Sequence, residues 1–106
     1  MGHQLTPLYS YAIIRKDISI EQQIVQMAHA AHEAGSKFGE HQNLILLSCD
    51  NENEICEAAG LLKACSIEHS LFFESDIMEY TALCTEPIKD KRTRNLFKRW
   101  PLYKAS

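Results

Sequence analysis

YSYAIIRKDISIEQQIVQMAHAAHEAG, residues Tyr9 to Gly35, reads as a strand followed by a helix, and that pairing decides the fold. Tyr9–Ile14 is aromatic and β-branched, the composition that fits a pleated, half-buried surface. Residues 15–18 turn the chain. Ser19 then offers a hydroxyl to the first free N–H groups of a helix, with Gln22 three residues on as capping-box partner. The helix is expected to run to about Ala34, with Gly35 ending it. Ile20, Ile24, Met27 and Ala31 recur at spacings of four, three and four, and form the expected buried stripe, widened by Val25, Ala28 and Ala30. A second row at the same spacings is polar: Gln22, Gln26, His29 and Glu33.

Working outward, Leu44–Cys49 (LILLSC) is a continuous apolar run, expected as an interior strand covered on both faces. Asn51, with Glu54 three residues later, marks a second helix start. That helix carries Ile55, Ala58, Ala59 and Leu62 and is expected to end near Cys65. His69–Glu74 and Tyr80–Thr85 read as two more strands, too close together for a parallel crossover and so a hairpin. A short basic helix is expected between Asp90 and Lys98, ended by Pro101, with Leu102 and Tyr103 free to dock back on the body. The element order is β-α-β-α-β-β-α. Alternating strands and helices imply crossover units. The fold class that follows is α/β: a three-layer α/β/α arrangement around a mixed four-stranded sheet.

A chain of 106 residues fits one domain over 1–106, with a modest core that homodimer formation would enlarge. Met1–Leu8 is expected to be a frayed tail, although MGHQLT fits the loose myristoylation pattern at Gly2 and Thr6. No apolar stretch approaches a membrane span, so no membrane partner is expected. Cys49, Cys56, Cys65 and Cys84 lie in apolar runs, form no CxxC pair and follow no signal-peptide core. Free, mostly buried thiols in a reducing cytoplasmic setting are expected.

The net charge of -3 hides an asymmetry. The C-terminal segment 89–106 holds Lys89, Lys91, Arg92, Arg94, Lys98, Arg99 and Lys104 against Asp90, which makes +6; the remainder is therefore -9. A basic end on an acidic body suits a phosphate-rich partner, and the plainer alternative is a solvated helix face.

The chemistry-bearing motifs are few. There is no Walker loop, nucleophile elbow or glycine-rich dinucleotide turn. His29 and His32 are too few for a zinc site without further ligands, so neither metal nor cofactor is expected. Cys49 and Cys84 sit on strands expected to be buried, where a thiol is unreactive. What remains is the polar row: a histidine one turn after a glutamine can hold a water and accept its proton, and an acid at a neighbouring strand end, such as Glu74, could orient the imidazole. The alternative is that the row only solvates an outer helix face.

YAIIRKDISIEQQIVQMAHAAHEAG, Tyr11–Gly35, resembles the first strand and helix of the archaeal/eukaryotic-type peptidyl-tRNA hydrolases, with their Arg-x-Asp element at Arg15–Asp17 and their Gln-x-x-His-Ala-Ala core at Gln26–Ala31. HSLFFESDIMEYTALCTEPI, His69–Ile88, resembles the family's third strand, acidic turn and last strand. The resemblance implies cofactor-free hydrolysis of the ester joining a peptidyl group to tRNA. It places His29 as general base or water-positioner, with Gln26 hydrogen-bonding water or substrate. Glu74 would be the orienting acid, with Asp76 as the alternative match, and Thr81 would line the site. It assigns substrate binding to Gln22, Asp17 and Asp76, and a phosphate-binding patch to Lys91, Arg92 and Arg94. Gln22 falls where the family carries a lysine. A second reading therefore stays open: a catalytically weak RNA-binding or protein-interaction domain that keeps the fold.

Overall fold

The computed structural model describes residues 7–39 and 43–105. The elements are β1 (Tyr9–Arg15), α1 (Ile20–Phe38), β2 (Asn43–Cys49), α2 (Glu52–Ala64), β3 (His69–Glu74), β4 (Glu79–Thr85) and α3 (Lys91–Asn95), which runs into a 3₁₀ turn over Leu96–Arg99. The four strands make one sheet in the order β2-β1-β4-β3. β1 runs parallel to β2 and antiparallel to β4, and β3–β4 is the expected hairpin. The mixed sheet and the three-layer α/β/α class are as the sequence implies. Of the tail expected at 1–8 only the last two residues are described, and Gly2 and Thr6 lie outside the described residues.

Alternation along β1 and β4 builds a core on each face. Ala12, Ile14, Ala82 and Cys84 meet Ala30 and Ala34 of α1, a face of small side chains that lets the helix lie close. Tyr11, Ile13 and Leu83 meet Ile55, Ala58 and Leu62 of α2 on the other face, with Phe97 stacked on Tyr11 at 4.0 Å. Each fully buried Ile, Leu or Phe side chain contributes about 1.5–3 kcal/mol. Those on the α2 side carry most of the large apolar burial.

Three expectations are corrected. β2 is an edge strand rather than an interior one: Leu44 is exposed and only Leu47, Ser48 and Cys49 are buried. The apolar run reflects a core on each face, with Leu46 on the α1 side and Ile45 and Leu47 on the α2 side, and a chain over part of the edge. Pro101–Tyr103 lies along β2, with Ser48 N–H donating to the Pro101 carbonyl at 2.9 Å and Tyr103 N–H to that of Leu46 at 2.9 Å. The truly central strands are β1 and β4.

Second, α1 does not stop at Gly35. It continues to Phe38, whose ring packs on the α1-side core, and ends at Gly39, which takes the positive φ of 87°. Third, the buried stripe of α1 is Gln23, Gln26, Ala30 and Ala34, while Ile20 and Ile24 are exposed. The helix is rotated so that Gln23, Gln26, Ala30 and Ala34 meet the sheet, with Met27 and Ala31 beside them, while the rest of the polar row lies at the margin over β3. Of the cysteines, Cys49 and Cys84 are buried but Cys56 and Cys65 are exposed on the outer side and end of α2, and all four are free.

Candidate functional site

The polar row of α1 lies along the edge strand β3. Gln26 faces Glu74, His29 faces Phe72 and Glu33 faces Ser70, so helix residues three and four apart meet alternate residues of a strand. At the centre is Gln26, almost fully buried. Its Nε2 donates to Glu74 Oε1 at 2.7 Å and to Gln22 Oε1 at 2.9 Å, and its Oε1 accepts from the Thr81 hydroxyl at 3.0 Å. Both amide hydrogens are in use. Gln26 therefore positions Glu74 and Thr81 rather than holding a water, as the sequence had suggested. Gln22, expected to close a capping box, instead turns its oxygen to Gln26, while the Ser19 hydroxyl accepts from Gln22 N–H at 3.1 Å.

Thr81 reaches this face through a β-bulge. Phe72 pairs with Ala82 and Phe73 with Tyr80, which leaves Thr81 as the extra residue of β4. A bulge suspends alternation, so Thr81 and Ala82 both face α1.

Glu74 sits at the rim. Besides Gln26, it accepts the Asp76 N–H at Oε2, 3.1 Å away. Hydrogen bonding by Gln26, then by the Asp76 backbone, with a smaller contribution from the nearby charge of His29, holds its carboxyl below the usual glutamate value. His29 is exposed and its ring lies flat on Phe72, centroids 4.7 Å apart at 8°. A flat stack fixes the ring plane while leaving the ring edge to solvent. The structure thus brings His29, Gln26, Glu74, Thr81 and Gln22 together. Phe72, the platform for His29, was missed; its place two residues before Glu74 on the same strand face was the available signal.

The remaining candidates lie elsewhere. Asp17 is bound bidentately by Arg15, at 2.6 and 2.7 Å. Arg15 is itself buried at the end of β1 and also donates to Glu79 at 2.6 Å and to the Tyr80 carbonyl at 3.1 Å. The Arg15 hydrogen bonds hold Asp17 below the usual aspartate value. This clamp ties the β1 end to the start of β4, so Asp17 has a structural partner rather than a free carboxylate. Asp76 is on the exposed hairpin turn and contributes its backbone N–H.

Lys91, Arg92 and Arg94 are on α3, which packs by Phe97 and Tyr11 on the α2 side of the sheet, opposite the Gln26 cluster. Arg94 lies 3.8 Å over the Tyr9 ring and donates to Tyr11 Oη at 3.2 Å, while Lys91 and Arg92 are exposed. The buried thiols are inert: desolvation pushes Cys49 up to about 12 and Cys84 to about 11. Among the described residues no three His, Cys, Asp or Glu side chains gather as metal ligands, and no helix is long and apolar enough to cross a membrane. Set against known protein families and curated proteins, the chain finds no match.

Proposed function

We propose that the chain is a peptidyl-tRNA hydrolase of the archaeal/eukaryotic type, working in the cytoplasm on the ester between a peptidyl group and the 3′ end of tRNA. The observation that carries the reading is the Gln26–Glu74–Thr81 network with His29 beside it on Phe72. The resemblance of Tyr11–Gly35 and His69–Ile88 names those positions, and one helix–strand seam holds them.

In this reading His29 takes a proton from a water attacking the ester carbonyl and returns one to the ribose oxygen as it leaves. The Glu74 carboxylate stabilises the imidazolium formed between those steps. Gln26 and Thr81 are positioning residues that fix Glu74. Gln22 supplies a neutral amide where the family has a cation, which lowers the stabilisation of the developing oxyanion and favours slow turnover. That same feature favours the second reading, an RNA-binding domain of weak or no activity.

The test is release of peptide from purified peptidyl-tRNA. The wild-type chain is expected to release it, His29→Ala to lose about 10²–10⁴-fold, and Gln22→Lys to gain. Absence of release by both wild type and Gln22→Lys, with tRNA still bound, would replace the hydrolase with the binding domain.

A further inference from the structure

On the sheet face opposite the Gln26 cluster, α3, the 3₁₀ turn and the C-terminal segment Trp100–Leu102 flank a groove of about 570 Å³. This volume is within the ~300–1,000 Å³ typical of ligand sites. Its floor is apolar, made by Tyr11, Ile45, Leu47 and Phe97. One wall is Trp100 with Leu102, the first half-buried and the second 66% exposed. Lys91, Arg94 and Lys98 stand on the rim, and no carboxylate is among the lining residues. Arg94 is committed to Tyr9 and Tyr11, but Lys91 and Lys98 are exposed and in no ion pair among the described residues.

An apolar floor selects a flat or greasy body, and unpaired cations at the rim select anions. An indole at the wall adds a stacking surface for a base. Lys91 and Lys98 are seven residues apart along a helical segment, roughly 10–14 Å by its rise. That spread suits two phosphates of one chain, separated by more than a single nucleotide step, better than a lone phosphate. We infer that this groove is a binding site for a single-stranded RNA segment, with a base against Trp100 and Leu102 and backbone phosphates on Lys91 and Lys98. The inference deepens the RNA-binding reading and rests on it for the class of partner, while the hydrolase reading can stand or fall without it. It uses none of the His29 cluster, and its test reads binding without turnover.

Trp100 is the only tryptophan of the chain, so its fluorescence reports on the groove directly. The full chain is titrated in parallel with a short oligoadenylate, AMP, inorganic phosphate and dodecanoate. The oligonucleotide is expected to quench saturably, with AMP weaker by about tenfold or more and phosphate without effect. A Lys91→Ala/Lys98→Ala variant, altered only at exposed side chains, should weaken oligonucleotide binding at least about tenfold and flatten its salt dependence. Leu102→Asp, which sets a carboxylate at the groove mouth, should abolish binding with an unchanged unfolding midpoint. No saturable quench, or equal affinity in the double-lysine variant, overturns the inference. Equal binding of AMP makes the occupant a free nucleotide, and tighter binding of dodecanoate makes it an anionic lipid; either result overturns the RNA strand.

Discussion

Gln26 shows how one buried polar side chain can organise a site it does not itself open to solvent. It satisfies Thr81 and restrains Glu74, and its own amide is satisfied in return. Gln26→Leu keeps the volume but leaves the buried Thr81 hydroxyl without its acceptor, so a loss of about 1–3 kcal/mol is expected by denaturant unfolding. Adding Thr81→Val should recover part of that loss, since removing both partners is less costly than removing one. The same Gln26→Leu change should raise the Glu74 pKa toward its ordinary value, as read by carboxyl ¹³C shifts against pH. The sign follows from linkage: a carboxyl depressed in the folded state stabilises above its unfolded pKa, and that contribution fades as pH falls through the folded value. Gln26→Leu should therefore soften the acid limb of the stability curve. A Glu74 titration that does not move would separate the two residues. Gln26 and Glu74 were legible in the sequence as a polar helix row and a strand-end acid. The part of Thr81 that matters was not, because a bulge is set by how two strands settle against each other and leaves no reliable signature in one of them.

At the scale of elements, N-caps were readable, but the C-cap of α1 and the faces were not. Ser19, Asn51 and Asp90 each cap a helix through the side chain, as short polar residues ahead of an apolar periodicity do. The face of α1 was misassigned because two rows share the same 4-3-4 spacing, and hydrophobicity alone favoured the isoleucines. The sheet instead offered Ser70 and Glu74 along its edge and Thr81 beside them, and setting Gln26 and Glu33 against them satisfies buried donors and acceptors. A consequence is that Ile24, 60% exposed, contributes little: Ile24→Gln should change stability by no more than about 0.5 kcal/mol, whereas a truly buried stripe would lose several times that. The end of α2 makes an opposite prediction. Ser66 N–H bonds to the Lys63 carbonyl at 3.1 Å and Ile67 N–H to that of Leu62 at 2.9 Å, a Schellman closure with Ser66 at φ 60°. A left-handed conformation disfavours any residue with a Cβ, and Ser66 is exposed. Ser66→Gly should therefore stabilise by about 0.5–1 kcal/mol, visible as a raised unfolding midpoint.

For the molecule as a whole, the sheet is a partition with a different chemistry on each side, and the C-terminal segment reaches from one side round the β2 edge to the other. Phe97 belongs to the α2-side core, Leu102 bridges to Leu47 at the β2 edge, and the Tyr103 hydroxyl donates to Gln23 Oε1 of α1 at 2.7 Å. Docking of Leu102 and Tyr103 was anticipated from their apolarity. The strand-like pairing was not, because nothing in Pro101–Tyr103 has the length or alternation of a strand. Its effect is to cover the β2 edge at Leu46–Ser48, which would otherwise present unpaired backbone groups, the usual template for association. Deleting residues 101–106 should lower the unfolding midpoint and make the chain associate with rising concentration, as seen by analytical ultracentrifugation. Tyr103→Phe is the control: it removes one hydrogen bond, costing about 1 kcal/mol, but leaves the edge covered and the chain unassociated. The Ser48 amide gives the sharpest readout, because its partner is the Pro101 carbonyl. Its hydrogen exchange should be slow in the full chain and in Tyr103→Phe, and fast in the deletion. If the Ser48 amide stays protected after the deletion in a chain that remains monomeric, the segment is not what closes the β2 edge. If protection survives only in associated material, a second chain has taken its place.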